Sequence, residues 1–208
     1  MVKVKICGVT RTTDALAACD YGADLIGLNF YPRSPRCVGF ERAAEIRQAI
    51  RGRAMAVGVF VNPRRGEIQS ALEGLELDAL QIYADNEPQL LAGWPVPVIE
   101  PVILREETDV AKLQRRTQMQ ADNGGFVLLD KYDPVRYGGT GMAINLELVR
   151  QLDLRRCFVA GGLRPETVGV VAALRPYAVD VASGVESAPG VKDPAKLRSF
   201  IENAKSAR

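Results

Sequence analysis

Val2-Lys3-Val4-Lys5-Ile6-Cys7-Gly8 opens the chain and decides how the rest is read. Val2, Val4 and Ile6 alternate with Lys3, Lys5 and Cys7, the two-residue period of a β-strand. Gly8 ends the run, and Thr10 to Asp14 supplies helix-start residues directly after it. Cys7 is therefore expected where a strand gives way to a helix. In a β/α barrel that is the face on which active sites are built.

The same unit recurs outward from this stretch. Helical patterns are expected over 12–21, 40–50, 65–75, 87–94, 106–119, 145–152, 165–174 and from Pro194 through Ala204, the last capped by Asp193. Strands are expected over 23–30, 55–61, 77–83, 96–104, 125–130, 157–161 and 179–182. Met55 to Val61 is almost wholly apolar, as a strand covered on both faces should be. Strands alternating with helices imply a parallel sheet with crossovers. Eight units favour closure into a (β/α)₈ barrel; an open doubly wound sheet is the competitor. No G-x-G-x-x-G follows the first strand, which argues against a dinucleotide-binding version.

The 208 residues are read as one barrel domain, without linker or low-complexity segment. Hydrophobic residues make up 47% and charged residues 25%, close to a soluble globular average. The net charge of +2 gives no reason to expect nucleic acid or membrane as a partner. No apolar run approaches a membrane span and no signal-peptide core is present, so a cytoplasmic protein is expected, monomer or homodimer. Cys7, Cys19, Cys37 and Cys157 match no zinc spacing and are too sparse for a disulfide scaffold. There is no histidine, so Ser-His-Asp and Cys-His mechanisms are excluded. Acid–base chemistry must come from Asp, Glu, Cys, Lys or Tyr.

In a barrel the residues just past each strand share one mouth. Here they include Cys7 after strand one, Arg36 in the loop after strand two, Tyr83 at the end of strand four and Asp130 at the end of strand six. Gly161-Gly162 follows strand seven and Ser183-Gly184 follows strand eight. Barrel phosphate sites are made by the last two loops, where glycines let backbone N–H groups approach an anion. Gly138-Gly139-Thr140-Gly141 adds a third glycine-rich loop. Each residue alone has a plainer reading: a buried small thiol, a surface arginine, a capping aspartate, glycines at tight corners. Their common placement is what argues for a site. Asp130 closes the apolar run Phe126 to Leu129, a setting that raises a carboxyl pKa and suits a general acid. Asp180 alternates with Val179 and Val181; facing the lumen or the helix layer, its charge needs a partner.

These residues resemble a known family. Lys5-Ile6-Cys7-Gly8, Phe30 to Arg36, Leu129-Asp130, Gly138 to Gly141, Ala160-Gly161-Gly162-Leu163 with Pro165-Glu166, and Asp180 to Glu186 with Pro189-Gly190 and Lys192-Asp193 follow in one order. Together they resemble phosphoribosylanthranilate isomerases of tryptophan biosynthesis, over nearly the whole chain. The resemblance implies a (β/α)₈ barrel, a phosphorylated small-molecule substrate and an Amadori rearrangement without cofactor or metal. It makes Cys7 the general base and Asp130 the general acid. It also makes Arg36 the holder of the anthranilate carboxylate, Tyr83 and Asp180 substrate contacts, and Gly139, Gly141, Gly161, Gly162, Ser183 and Gly184 the phosphate site. Tyr83 stands where that family usually has His, Ile144-Asn145-Leu146 replaces its Phe-Asp-Trp, and Ala182 replaces its Ser. The related isomerase of histidine biosynthesis is the alternative among enzymes; its first strand ordinarily ends in an aspartate base. A non-catalytic phosphate-binding barrel is the alternative outside them.

Overall fold

Strand β1 (Lys3–Ile6) pairs in parallel with β2 (Leu25–Asn29) on one side and with β8 (Ala178–Val181) on the other. The first and last strands are therefore neighbours, and the sheet has no edge. Between them run β3 (Met55–Val61), β4 (Ala79–Tyr83), β5 (Val98–Leu104), β6 (Phe126–Lys131) and β7 (Cys157–Val159), every neighbouring pair parallel, in a closed barrel ordered as in the sequence. The open-sheet alternative is thereby removed. This computed structural model describes residues 1–84, 87–105, 107–131 and 145–207.

Helices cover the outside: α1 (Thr12–Asp20), α2 (Phe40–Ile50), α3 (Arg65–Leu75), α4 (Val110–Asp122), α5 (Leu146–Val149), α6 (Val168–Ala172) and α7 (Pro194–Ser206), with a 3₁₀ turn over Pro88–Leu91 after β4. Several are displaced from their expected spans for local reasons. Helix α4 begins at Val110 because Asp109 caps it, its carboxylate accepting from Lys112 N at 3.0 Å. Helix α5 is one turn, capped by Asn145, which accepts from Leu148 N at 3.2 Å. Helix α6 starts three residues past Pro165, because Thr167 Oγ1 accepts from Arg164 N at 3.1 Å and closes a turn there. Asp193 caps α7 as expected, accepting from Ala195 N and Lys196 N at 2.9 and 3.0 Å. An antiparallel hairpin that the periodicity does not announce, β9 (Glu186–Ala188) and β10 (Val191–Lys192), follows β8.

Alternation along the strands splits the core in two. Outward residues such as Val4, Ile6, Ile26, Leu28, Leu80 and Val127 pack against the helices, fully buried. Inward residues such as Leu25, Val57, Ile99, Leu128 and Phe158 fill the lumen. Each Leu, Ile or Phe so buried contributes about 1.5–3 kcal/mol. The rings of Phe126, Phe158 and Tyr177 lie 4.3–5.6 Å apart, centroid to centroid, and plug the bottom of the barrel. Above that plug the inward positions turn polar, with Lys5, Gln81, Asp130 and Asp180 all buried. The lower lumen is thus a packed floor, and the chemistry-bearing residues stand on it at the carboxyl ends of the strands.

Candidate active site

Cys7 follows the last residue of β1, held by a hydrogen bond from its N–H to Val181 O at 2.8 Å. Gly8 then adopts a φ of +66°, a conformation costly for any residue with a side chain. A Cβ there would also stand 2.5 Å from Arg36 Cδ. The glycine lets the arginine cross the end of β1.

Arg36 is brought in by the β2–α2 loop. Asn29 Oδ1 accepts from Tyr31 N at 2.8 Å, and Ser34 Oγ accepts from Arg36 N at 3.1 Å and from Asn29 Nδ2 at 3.3 Å. The Arg36 guanidinium donates through Nε and Nη2 to the two oxygens of Glu186, at 2.8 and 2.7 Å. Glu186 is buried. Burial alone would raise its pKa, but Arg36 and Lys192 outweigh that and hold the carboxyl below its usual range. Lys192 Nζ donates to Glu186 Oε1 at 2.9 Å, to Cys7 O at 2.7 Å and to Ala182 O at 2.9 Å. This buried ammonium ties the ends of β1 and β8 to the hairpin; desolvation pulls its own pKa down.

Asp180 faces the lumen. Its neighbour across the β1–β8 ladder is Lys5, whose Nζ donates to Asp180 Oδ1 at 2.8 Å. Lys5 has no solvent exposure. Burial lowers its pKa, yet Asp180 and Cys7 outweigh burial and raise it overall. Burial is also the largest influence on Cys7 and pushes the thiol up; Lys5 pulls it down and Asp180 pushes it up again, leaving it above an ordinary thiol. Tyr83 at the end of β4 is pushed well up, first by burial and then by the charges of Asp130, Cys7 and Asp180. It is a neutral phenol across the working pH range. Gln81 donates from Nε2 to Tyr83 Oη at 3.3 Å, while Gln81 Oε1 is buried and has no hydrogen-bond partner among the described residues.

Asp130 is 6% exposed, and its Oδ1 accepts from Lys131 N at 2.8 Å. Past β7, Gly161 and Gly162 adopt φ of +88° and +68°. Past β8, Ser183–Val185 forms a 3₁₀ turn pressed against the first loop. A Cβ on Gly184 would lie 1.9 Å from Leu163 O, so only glycine permits this approach.

Cys7, Arg36, Tyr83, Asp130, Gly161, Gly162, Asp180, Ser183 and Gly184 all line one cavity of about 650 Å³. That volume suits a small molecule. Gly139 and Gly141 lie outside the described residues. Among the described residues no group of three or more His, Cys, Asp or Glu is arranged to hold a metal ion, and no helix is long and apolar enough to cross a membrane. The strand reading did not single out Lys5, Gln81, Glu186 or Lys192. The two-residue alternation that marks Asp180 applies equally to Lys5 and Gln81. Glu186 and Lys192 gave no such signal, because a hairpin rather than a barrel strand carries them.

A family model described as N-(5'-phosphoribosyl)anthranilate (PRA) isomerase matches residues 4–203. The N-(5'-phosphoribosyl)anthranilate isomerase of Myxococcus xanthus is 42% identical over 208 residues, covering 99% of this chain and 97% of that protein. The crystal structure of phosphoribosyl anthranilate isomerase from Thermotoga maritima superposes with a TM-score of 0.86 at 34% identity, covering 99% of each chain. A phosphoribosyl anthranilate isomerase crystallised with reduced 1-(o-carboxyphenylamino)-1-deoxyribulose 5-phosphate superposes with a TM-score of 0.81 at 33% identity, again covering 99% of each chain. With the family model spanning nearly the whole chain and the relatives aligned end to end, the protein belongs to the N-(5'-phosphoribosyl)anthranilate isomerase family.

Proposed function

We propose that the protein converts N-(5'-phosphoribosyl)anthranilate, an aminoaldose, into the aminoketose 1-(2-carboxyphenylamino)-1-deoxyribulose 5-phosphate, with Cys7 as general base and Asp130 as general acid. The observation that carries this reading is the meeting of Cys7 from β1 and Asp130 from β6 in one cavity with the glycine loops after β7 and β8.

Asp130 protonates the ribose ring oxygen, and the ring opens to an iminium ion. That cation acidifies the C2 proton, which Cys7 removes. The resulting enolamine tautomerises to the ketone. The buried thiol of the free protein is a poor thiolate, but the iminium brings positive charge into the same cavity and favours the ionised sulfur. The base is therefore made at the moment it is used. No cofactor or metal enters these steps.

The backbone N–H groups of the Gly161-Gly162 and Ser183-Gly184 loops hold the phosphate. Arg36 binds the anthranilate carboxylate with the donor capacity left beside Glu186. Tyr83, as a neutral phenol, and Asp180 contact the sugar chain. The test is to follow the fluorescence of N-(5'-phosphoribosyl)anthranilate on adding the protein. Its decay with wild-type protein and persistence with Cys7→Ala is the expected result; equal decay with both overturns the assignment of the base.

A further inference from the structure

Lys5 is a wholly buried ammonium that none of the proton transfers above employs. Burying a charge is costly, by several kcal/mol per ion even after relaxation, so its position calls for a physical reason. Its Nζ reaches Asp180 Oδ1 at 2.8 Å, and the Cys7 sulfur lies close beside it. The adjacent strand is cut back to glycine at this level. A Cβ on Gly27 would meet Cys7 Sγ at 2.9 Å and Lys5 Nζ at 3.3 Å. Thiol, ammonium and carboxylate thus share one small space beneath the cavity.

The other charged and titratable groups around Cys7 are accounted for. Lys192 of β10 donates to the Cys7 carbonyl oxygen, not to the thiol. Arg36, from the β2–α2 loop, is committed to Glu186. Tyr83 of β4 and Asp130 of β6 face it across the cavity. Among these groups Lys5 has the largest effect favouring the thiolate, ahead of the opposing effect of Asp180 and of the smaller effect of Lys192.

We propose that Lys5 is a positioning residue for the isomerisation: anchored by Asp180, it orients the Cys7 sulfur and supplies the fixed positive charge against which that sulfur becomes a thiolate. This rests on the reading of Cys7 as the base and deepens it. Asp180 then has two tasks, a contact for substrate and the counter-ion that makes a buried lysine tolerable. The alternative is that Lys5 merely neutralises Asp180 and leaves the thiol untouched.

The test uses the full chain with Lys5→Met and with Lys5→Met/Asp180→Asn. The double variant keeps the lumen neutral, so the test survives if the single variant, with its unpaired Asp180, fails to fold. Thiol ionisation is read across pH from the rate of iodoacetamide labelling of the Cys7 peptide by mass spectrometry. Thiolate absorbance, taken as the difference from the matching Cys7→Ser protein, provides a second readout. The ionisation midpoint is expected to rise by about 1–3 pH units in Lys5→Met, the usual effect of losing an adjacent opposite charge, and by less in the double variant. The acid side of the kcat profile of Lys5→Met should rise with it. An unmoved Cys7 midpoint in the folded variants overturns the proposal. Full activity of Cys7→Ser overturns instead the reading of Cys7 as the base, so the two failures are distinguishable.

Discussion

Arg36 and Glu186 form a two-pronged pair, with Nε at 2.8 Å and Nη2 at 2.7 Å from the two carboxylate oxygens. The arginine assigned to the substrate's carboxylate already holds a carboxylate of its own chain. The pair fixes the guanidinium plane before substrate arrives, so less side-chain freedom is lost on binding. Glu186 keeps Lys192 as a second partner.

Arg36→Ala should therefore act twice. Loss of a carboxylate contact that is similar in ground and transition states raises KM and leaves kcat less affected. A charged hydrogen bond worth about 1.5–3 kcal/mol corresponds to a roughly tenfold to hundredfold rise. The same substitution strips Glu186 of one partner and should lower the unfolding free energy by about 1–3 kcal/mol. Steady-state kinetics with urea denaturation separate the two effects. A fall in kcat at constant KM would place Arg36 in the chemistry.

Glu186 also predicts a pH dependence of stability. Its folded pKa lies below the ordinary value of 4.5. Between the folded and unfolded pKa the unfolded chain binds more protons, so stability rises with pH there. The contribution is complete above about pH 4.5 and is lost as the pH falls through the folded value. Urea midpoints measured from pH 7 down to pH 3 should fall less steeply in Glu186→Gln than in the wild type. Parallel curves would deny Glu186 this role.

In the wall of the cavity Gln81 presents a buried amide oxygen with no partner among the described residues. An unmatched buried acceptor costs about 1–3 kcal/mol. Gln81→Met removes it at similar size, so stability should hold or rise. If a substrate hydroxyl or N–H supplies the missing donor, KM should rise by roughly twofold to tenfold, the worth of one neutral hydrogen bond. Thermal melts and KM on the one variant decide the matter. A destabilised protein with unchanged KM would contradict the prediction.

Gly184→Ala tests the phosphate cradle. The added methyl would sit 1.9 Å from the Leu163 carbonyl oxygen, a backbone atom that cannot swing aside. The two loops must part, at a cost of about 1–3 kcal/mol for overpacking, and the N–H groups assigned to the phosphate must part with them. Affinity for inorganic phosphate, read by calorimetry, should fall with stability. Unaltered phosphate affinity would move the anion site elsewhere.

Much of this was legible in the chain because strand alternation and loop position are local signals. The spans of α2, β3 and α3 coincide with their expected limits; nearby Gly or Pro marks both ends of α2 and β3 and the start of α3. The same logic placed Cys7, Tyr83 and Asp130 at strand ends. What escaped depends on contacts between distant residues. Arg36 and Glu186 are separated by 150 positions and Lys5 and Asp180 by 175. No periodicity announces either pair. The state of the thiol was likewise not legible locally: burial is the largest influence on Cys7 and leaves its pKa raised. Desolvation is a property of the closed lumen, which exists only once all eight strands have met.

The two proton-transfer residues, Cys7 and Asp130, should be separable from the fold that holds them. Cys7→Ser keeps nearly the size of the side chain but replaces the thiol with a hydroxyl, a far poorer base. Asp130→Asn keeps the shape and the capacity to accept from Lys131 N, but has no acidic proton to give. Each should lower kcat by about 10²–10⁴-fold, the usual worth of one general acid or base. The two should fail differently. Asp130→Asn blocks ring opening, so no iminium forms. Cys7→Ser still opens the ring and stalls before C2–H cleavage. A primary isotope effect from deuterium at C2 should therefore appear in full in Cys7→Ser and be suppressed in Asp130→Asn. Single-turnover kinetics at saturating substrate measure both. Chemistry near the wild-type rate in either variant removes that residue from the mechanism, and a full isotope effect in both would reverse the order of the two steps in their demand on the enzyme.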